Sequence, residues 1–312
     1  MTMSAAPDLA RVNAWLRDRE DLELGTATAL SVFPGGASNV TCRVDLAGGT
    51  RPAVVLRIQR ERGIFEPYDV VREGRVIEAL VGTEVPVPAV IASEAGEALG
   101  APFIVLEWVD APHMGEAGPE ASYPAFVAAV VGIHQVHWRA AGLGFLGVPA
   151  SVHEALLGEV AAIERRRQLF APDVALLAEA EERLRATAPH DGTLALCQGD
   201  INVFNYLFRA GQVVAVVDWE QARISDPRSD VGQLVSLAHL KGAPFGPAAG
   251  SPFVQMYSSV AGRELGLLEW FRARWLWELA VIYHGWVAFN GSSPWYTWDD
   301  VAQLLERSLA EL

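Results

Sequence analysis

The sequence predicts an α+β protein of two lobes, an antiparallel-sheet lobe followed by a mostly helical one. Up to residue 108, short apolar runs alternate with Gly- and Pro-rich turns, which is the pattern of β-strands. Beyond it, apolar residues recur at helical spacing over longer segments. A chain of 312 residues is long enough for two such lobes. We therefore expect an N-terminal lobe at residues 1–108 and a C-terminal lobe at residues 109–312.

The N-terminal lobe should contain a short amphipathic helix and then a β-β-β-α-β-β series. Residues 29–33 and the run TCRVDL flank a Gly-Gly turn and predict a β-hairpin, with a third strand at residues 54–58. Residues 69–81 carry apolar side chains near one helical face. The stretch EVPVPAVIA has too many prolines for a helix, and GAPFIVLEWV is typical of a buried strand.

The C-terminal lobe should be helical except for a strand-and-loop segment at residues 194–218. Helical periodicity predicts helices over residues 124–139, 152–168, 174–187, 262–290 and 298–311. In the first of these, His134 and His137 are expected to pack in the core, although their spacing also permits metal binding. The run from Arg165 to Arg167 should lie on a solvated face or meet an anionic acceptor.

Composition argues against several classes of protein. The net charge of −14 argues against nucleic acid, whose phosphates select basic surfaces. No apolar run reaches membrane-spanning length, and the first residues lack the apolar core of a signal peptide. The two cysteines, Cys42 and Cys197, are expected to be reduced. We therefore expect a cytoplasmic protein without a nucleic-acid or membrane partner.

The segment at residues 194–228 carries the strongest indication of chemistry. It places Asp200 five residues before Asn205 and continues through an apolar run to Asp218. Two carboxylates and an amide suit Mg²⁺, which takes oxygen ligands and needs only one or two carboxylates. Phosphoryl transfer uses that metal and an aspartate facing the attacking hydroxyl. The spacing, which resembles a kinase catalytic loop and its metal-binding aspartate, predicts an ATP-dependent kinase of a small molecule.

These residues resemble the aminoglycoside phosphotransferase family, a branch of the protein-kinase-like fold. The family loop H-G-D-x-x-x-x-N corresponds to residues 198–205, which read QGDINVFN. Its I-D-W/F-E segment corresponds to residues 217–220, which read VDWE, and Asp226 and Asp230 follow as in its D-P-x-x-D-L-A continuation. The resemblance extends upstream, in the same order, through PGGASNVTCRV, VVLRIQR, VVREGRVIEAL, EVPVPAVI and APFIVLEWV. It implies a bilobal kinase-like fold over most of the chain.

The resemblance also implies roles for the motif residues. Asp200 would be the catalytic aspartate, and Asn205 and Asp218 would hold Mg²⁺ against the phosphates of ATP. Glu220 would support the metal or the acceptor, or be an ordinary solvated glutamate. The implied reaction moves the γ-phosphate of ATP to a hydroxyl of a small-molecule acceptor.

Nucleotide-binding residues are implied in the N-terminal lobe. Gly36 and Ser38 would cover the ATP phosphates with backbone N–H groups and a hydroxyl. Adenine would lie against the backbone of the segment from Glu107 to Val109. Side-chain identity in that segment is therefore only weakly diagnostic.

Two residues depart from the usual pattern. Gln198 stands in place of the histidine that organises the catalytic loop, and Arg57 stands where kinases place a phosphate-binding lysine. The chain has a single lysine, Lys241. Glu73 would orient Arg57, with Glu78 as the competing candidate. These departures leave open a catalytically degenerate nucleotide-binding pseudokinase.

The acceptor is less constrained than the phosphate donor. Six tryptophans crowd the C-terminal part, at positions 270, 275, 277, 286, 295 and 298. They indicate either core packing or an aromatic-walled acceptor pocket. The segment LEWFRARWLWELAVIYHGW is similar to the acyl-CoA dehydrogenase-associated kinases, as is the Leu-Arg pair that ends at Arg57. An aminoglycoside, a macrolide or similar small alcohol, and an endogenous hydroxyacyl-type metabolite all stay open as acceptors.

Overall fold

The computed structural model describes most of the chain, which divides into two compact units. The described residues are 7–33, 38–96, 98–117, 119–237, 239–240, 251–294 and 296–312. One unit comprises Met1–Gly82 and Pro86–Asp110, and the other comprises Thr83–Val85 and Ala111–Leu312. No helix within these ranges combines the length and the apolar character that a membrane crossing requires.

The first unit is built on a five-stranded antiparallel sheet in the order β1-β2-β3-β5-β4. The strands are β1 (Thr26–Val32), β2 (Val40–Ala47), β3 (Ala53–Ile58), β4 (Val90–Glu94) and β5 (Phe103–Glu107). Helix α1 (Leu9–Asp18) precedes them, and helix α2 (Val70–Leu80) connects β3 to β4. The predicted β-β-β-α-β-β series is therefore confirmed.

The two faces of this sheet bury different groups. Residues on one face, including Cys42 and Leu56, pack with Trp15 of α1 in an apolar cluster. Side chains alternate along a strand, so Arg57 of β3 projects to the opposite face. Helix α2 approaches β5 closely, because a Cβ placed at Gly74 would lie 3.1 Å from the Cγ2 of Ile104. Ile104 pairs with Arg57, so α2 runs near that arginine.

The second unit is mostly helical. Its helices are α3 (Met114–Ala117), α4 (Pro119–Gln135), α5 (Val152–Phe170), α6 (Ala175–Ala186), α7 (Arg228–Leu237), α8 (Ser251–Ala261), α9 (Glu269–Asn290) and α10 (Trp298–Ala310). Two short antiparallel pairs interrupt them: β6 (Ala195–Cys197) with β9 (Arg223–Ser225), and β7 (Tyr206–Arg209) with β8 (Gln212–Val216). The bilobal α+β class predicted from the sequence is confirmed.

Several predicted helix bounds were wrong. The helix expected at residues 262–290 begins only at Glu269, because Gly262 and Gly266 adopt positive φ angles of 67° and 74° that end α8 and separate it from α9. The helix expected at residues 124–139 is α4, which ends at Gln135, so His137 lies outside it and is exposed, contrary to the predicted core position.

Helix α7 was missed altogether. Residues 228–236 are all buried, so the helix has no solvent face and therefore no amphipathic period to detect. Asp226 caps the start of this helix, since its Oδ1 accepts a hydrogen bond of 2.9 Å from the backbone N–H of Arg228.

The core of the second unit contains three of the six C-terminal tryptophans. Trp270, Trp275 and Trp277 are buried among α5, α6, α9 and α10. The indole N–H groups of Trp270 and Trp277 donate to the carbonyls of Leu184 and Leu177, each at 3.0 Å. Trp286 and Trp298 are half-buried, and position 295 lies outside the described residues. Core packing thus explains the three tryptophans that the cluster contains.

Candidate active site

The loop between β6 and β7, residues 198–205, carries the predicted catalytic aspartate. The loop leaves β6 through Gly199, whose φ is +89°. A Cβ at this position would lie 2.3 Å from the carbonyl oxygen of Gln221. Both the backbone conformation and the close approach require glycine here. The pairing of Cys197 with Arg223 places the segment after β8 beside the loop.

Asp200 is held by three side-chain amides. Its Oδ1 accepts a hydrogen bond from Nε2 of Gln233 at 2.8 Å. Its Oδ2 accepts from Nδ2 of Asn205 at 3.1 Å and from Nδ2 of Asn202 at 3.3 Å. Burial and the nearby charge of Asp218 raise the pKa of Asp200 to about 6, and the three amide donors oppose that rise. The carboxylate is therefore fixed in orientation by neutral partners.

Backbone contacts bring Asp218 to the same place. The N–H of Val217 donates to the carbonyl of Asn205 at 2.9 Å, and Tyr206 pairs with Val216 in the β7–β8 hairpin. Asp218 itself has φ +63°, a left-handed conformation that aspartate tolerates better than most residues. The structure thus brings together Asp200, Asn205 and Asp218, which the sequence analysis singled out from the motif.

Gln198 ties the loop to the strand that leads to Asp218. It is fully buried, and its Nε2 donates to the carbonyl of Val217 at 2.9 Å. Its Oε1 accepts a hydrogen bond of 2.7 Å from the hydroxyl of Tyr206. An amide offers a donor and an acceptor at once, so glutamine organises this loop without carrying a charge.

Helix α7 supports the loop from behind. Asp230 accepts hydrogen bonds from the backbone N–H groups of Gln198 at 2.8 Å and Gly199 at 3.1 Å. Its Oδ2 also lies 3.2 Å from Nε2 of His134. Burial alone would raise the pKa of Asp230, but the contact with His134 and the charge of Arg223 prevail and lower it.

His134 is a hydrogen-bonding residue rather than a simple packing residue. Its Nδ1 lies 2.7 Å from the hydroxyl of Tyr257, while its Nε2 faces Asp230. Cys197 is close enough to complete a three-ligand group with His134 and Asp230. However, its thiol donates to the carbonyl of Asp226 at 3.4 Å, and burial raises its pKa well above the usual range. These contacts favour a structural network over a metal site.

A chain of alternating charges runs from this network into α5 and α9. Its members, in order, are Asp230, Arg223, Glu159, Arg274, Glu278 and Arg166. Arg274 bridges Glu159 at 2.7 Å and Glu278 at 3.0 Å.

These ion pairs correct the prediction that the arginines at residues 165–167 lie on a solvated helix face. Arg166 pairs with Glu278, and the buried Arg167 pairs with Glu164. Of the three arginines in the run, Arg165 is exposed as predicted.

The first unit contains the predicted Arg57 pair. Nε of Arg57 lies 3.0 Å from Oε2 of Glu73, and both side chains are buried. Glu78, the competing candidate, is exposed. Glu73 faces the sheet from the first turn of α2, so it is the glutamate on this helix that contacts Arg57.

The other predicted nucleotide-binding residues that the structure describes lie elsewhere in the first unit. Ser38 is buried just before β2, while Gly36 lies outside the described residues. Glu107 ends β5, where its Oε1 lies 3.5 Å from Arg51 and its Oε2 accepts from the N–H of Ala89 at 3.3 Å. Val109 follows as a half-buried residue.

Gln233 and Asn202 are site residues that sequence reasoning missed. Their contact with Asp200 depends on side-chain direction, which no motif records. One signal was available for Gln233: it stands one helical turn after Asp230, and apolar residues flank it on the C-terminal side. In the fold both are buried, which indicates a defined partner for each.

Part of the chain is similar to a curated mouse protein. A mouse (Mus musculus) protein, acyl-CoA dehydrogenase family member 10, is 27% identical over 221 residues, which span 64% of this chain and 19% of that protein. This match bears out the predicted resemblance to acyl-CoA dehydrogenase-associated kinases. The chain therefore spans about a fifth of that relative's length.

Solved structures share the fold. A candidate aminoglycoside phosphotransferase from Ralstonia eutropha JMP134 has a TM-score of 0.70 and 23% identity, over 97% of this chain and 96% of that one. Macrolide 2'-phosphotransferase type I has a TM-score of 0.65 and 20% identity, over 100% and 99%. A thermostable mutant of aminoglycoside phosphotransferase APH(4)-Ia, solved with AMP-PNP and hygromycin B, has a TM-score of 0.63 and 16% identity, over 96% and 97%.

The model of the phosphotransferase enzyme family matches residues 29–279, which include β2 to β9 and the first half of α9. This match agrees with the predicted phosphotransferase class. The chain belongs to the phosphotransferase enzyme family.

Proposed function

We propose that this protein is an ATP- and Mg²⁺-dependent O-phosphotransferase that acts on a hydroxyl of a small molecule. The observation that carries the proposal is the convergence of Asp200, Asn205 and Asp218 in one unit, with the carboxylate of Asp200 fixed by amides. The similar APH(4)-Ia structure was solved with AMP-PNP and hygromycin B, a nucleotide analogue and a small-molecule ligand.

The donor atoms at the second unit's site fit a magnesium ion. Asn205 uses its Nδ2 to donate to Asp200, so its Oδ1 is the atom that can ligate a cation. With a carboxylate oxygen of Asp218 it forms the hard, oxygen-only set that Mg²⁺ prefers. Bound there, Mg²⁺ would neutralise charge on the phosphates. Asn205 and Asp218 are the residues that would hold it.

Asp200 would orient the acceptor hydroxyl and accept its proton. In the protein without a bound metal its pKa is about 6, so most of the carboxylate is ionised and able to accept a proton at neutral pH. Both oxygens are oriented by amides, which limits the rotation of the group before an acceptor arrives.

Arg57 would bind nucleotide phosphate in the first unit. A guanidinium can form two parallel hydrogen bonds with a phosphate. The carboxylate of Glu73 keeps the guanidinium of Arg57 in place. Gly36 and Ser38 would cover the phosphates, and the backbone from Glu107 to Val109 would contact adenine. The two buried cysteines are both free, which suits a reducing compartment, and we place the protein in the cytoplasm.

Two classes of small-molecule acceptor are candidates. The fold shared with macrolide and aminoglycoside phosphotransferases supports an antibiotic or similar small alcohol. The likeness to acyl-CoA dehydrogenase family member 10 supports an endogenous hydroxyacyl-type metabolite. In neither case do we expect a nucleic-acid or membrane partner.

Two measurements, made one after the other, test the proposal. Thermal unfolding with MgATP and with ATP plus chelator should show stabilisation that depends on the metal, since a ligand that binds the folded state raises its stability. The Asp218→Asn variant keeps the left-handed backbone but loses a charge, and should lose that stabilisation. Asp173→Asn, at an exposed position, is the matched control and should retain it.

Consumption of ATP against a panel of alcohols then identifies the acceptor. Hydroxyacyl compounds, macrolides and aminoglycosides form its three arms. Stabilisation by MgATP without turnover on any arm would favour the nucleotide-binding pseudokinase. No response to MgATP at all would contradict the proposed function.

A further inference from the structure

Gln233 of helix α7 contacts the catalytic loop at two points. Its Nε2 donates to Oδ1 of Asp200 at 2.8 Å, and its Oε1 accepts from the N–H of Ile201 at 3.2 Å. The side chain is buried, so these bonds are shielded from water. We propose that Gln233 is a positioning residue for phosphoryl transfer, which holds the Asp200 carboxylate in the orientation that the acceptor hydroxyl requires. This inference rests on the proposed function.

The other two donors to Asp200 fix only one of its oxygens. Asn202 and Asn205 both donate to Oδ2 and both belong to the same loop as Asp200. The final torsion of an aspartate side chain is broad, so bonds to one oxygen leave the carboxylate free to turn. The bond from Gln233 reaches Oδ1 and comes from a separate helix. It therefore links the direction of the carboxylate to the body of the unit.

Asp230 and Gln233 act as a pair on one face of α7. Residues three apart on a helix lie on the same side, and these two face the loop together. Asp230 accepts from the N–H groups of Gln198 and Gly199, before Asp200, and Gln233 accepts from the N–H of Ile201, after it. Gln233 adds what Asp230 does not, a bond to the reactive carboxylate itself.

Helix α7 is held firmly enough to serve as this support. A Cβ at Gly232 would lie 2.7 Å from the backbone carbonyl carbon and the Cβ of Phe271, so α7 and α9 meet at closest packing there. At its N-terminus, Arg228 donates through Nε to Asp226 at 2.9 Å. The family motif quoted above, D-P-x-x-D-L-A, ends at Gly232, one residue before Gln233. Neither that motif nor its spacing assigns a role to this glutamine.

Two substitutions separate the contacts of Gln233. Gln233→Met keeps the length of the side chain and removes both hydrogen bonds. Gln233→Glu keeps an acceptor for Ile201 but replaces the donor with a charge that repels Asp200. Gln303→Met, at an exposed position of α10, is the matched control.

Steady-state kinetics with MgATP and the acceptor identified by the panel is the test. We expect both Gln233 variants to lower kcat by about 100-fold, because a small misplacement of a catalytic group costs that much, and to leave the KM for MgATP unchanged. A general loss of structure would instead raise KM or lower the concentration of active enzyme in proportion. The control should match the wild type.

Crystal structures of both variants complete the test. We expect the Asp200 carboxylate to turn away from its wild-type orientation while the bonds from Gln198 and Gly199 to Asp230 persist. Wild-type turnover by Gln233→Met, or an unmoved Asp200 in its crystal structure, would overturn this inference and leave the proposed function intact. Absence of transfer in every variant and in the wild type would refute the proposed function, and the rate role of Gln233 with it.

Discussion

The two units hold their central charged groups in opposite ways. In the first unit, the guanidinium of Arg57 is buried against the carboxylate of Glu73 at 3.0 Å. In the second unit, the carboxylate of Asp200 is held by three neutral side-chain amides. One group is matched by an opposite charge, while the other is matched by hydrogen-bond donors without charge.

The difference follows from what each group would do. A buried arginine that presents its charge to phosphate needs only a stable position, which a carboxylate partner supplies. A basic side chain paired directly with Asp200 would lower the pKa of that carboxyl and make it a poorer proton acceptor. Amides fix the direction of the carboxylate, while burial and Asp218 raise its pKa to about 6 in the protein without a bound metal. Orientation and basicity are thereby set separately.

The largest expected effect is the loss of phosphoryl transfer when the carboxylate of Asp200 is removed. Asp200→Ala should lower phosphoryl transfer roughly a hundred- to ten-thousand-fold, the contribution typical of a positioned acid or base. Stabilisation by MgATP should persist, because Asn205 and Asp218 are unchanged. Transfer assays and thermal unfolding measure the two effects. Transfer by Asp200→Ala at the wild-type rate would refute the catalytic role, and the exposed Asp173→Ala should leave transfer unchanged.

Breaking the charged pair should instead reduce stability. Glu73→Gln removes one partner of a buried ion pair, which typically costs about 3–5 kcal/mol of unfolding free energy. Urea unfolding measures the loss. Glu78→Gln, on the exposed side of the same helix, should change stability by less than about 0.5 kcal/mol. Equal midpoints for the two variants would contradict the buried pair.

The charge chain of the second unit provides a pH-dependent test. Burial opposes ionisation of Glu278, but Arg274 and Arg166 prevail and lower its pKa to about 2. Because this lies below the ordinary 4.5, ionised Glu278 stabilises the fold above that value, and the contribution is lost as pH falls from 4.5 towards 2.

Glu278→Gln should therefore lose stability at neutral pH and approach the wild type in acid. Urea unfolding of both proteins across this range checks the expectation, with the exposed Glu306→Gln as the control. A difference in unfolding free energy that is constant with pH would contradict it.

The smallest expected effect on stability tests the hydrogen bond between two neutral side chains of the second unit. Tyr206→Phe removes the hydroxyl that donates to Oε1 of Gln198 at 2.7 Å. A lost buried hydrogen bond of this kind costs about 1–2 kcal/mol, and we expect Gln198 to keep its bond to Val217. Urea unfolding measures the loss, and Tyr283→Phe serves as the comparison. An unchanged stability would show that the hydroxyl is not needed to hold the loop.

The sequence predicted the parts of the site that local motifs encode. Asp200, Asn205 and Asp218 were selected from their spacing and from the resemblance to the family motif, and the fold brings them together. Helix α7 was missed because a helix buried on every side lacks amphipathic periodicity. Gln233 was missed because it contacts Asp200 from 33 positions away in the chain. Its role depends on tertiary packing.

The arginine run was misjudged for a related reason. Three consecutive basic residues usually indicate a solvated helix face, but Arg166 pairs with Glu278 of α9, 112 positions away. Charge runs are assigned from composition, whereas burial depends on which helix packs against them. Long-range pairing between α5 and α9 therefore decided the outcome.

The most direct test of the central claim is a crystal structure with Mg²⁺ and a non-hydrolysable ATP analogue. The account predicts a cation about 2.1 Å from a carboxylate oxygen of Asp218 and from Oδ1 of Asn205, with Asp200 still bonded to Gln233. A nucleotide-bound cation that contacts neither Asp218 nor Asn205, or an Asp200 carboxylate turned away from Gln233, would contradict the account.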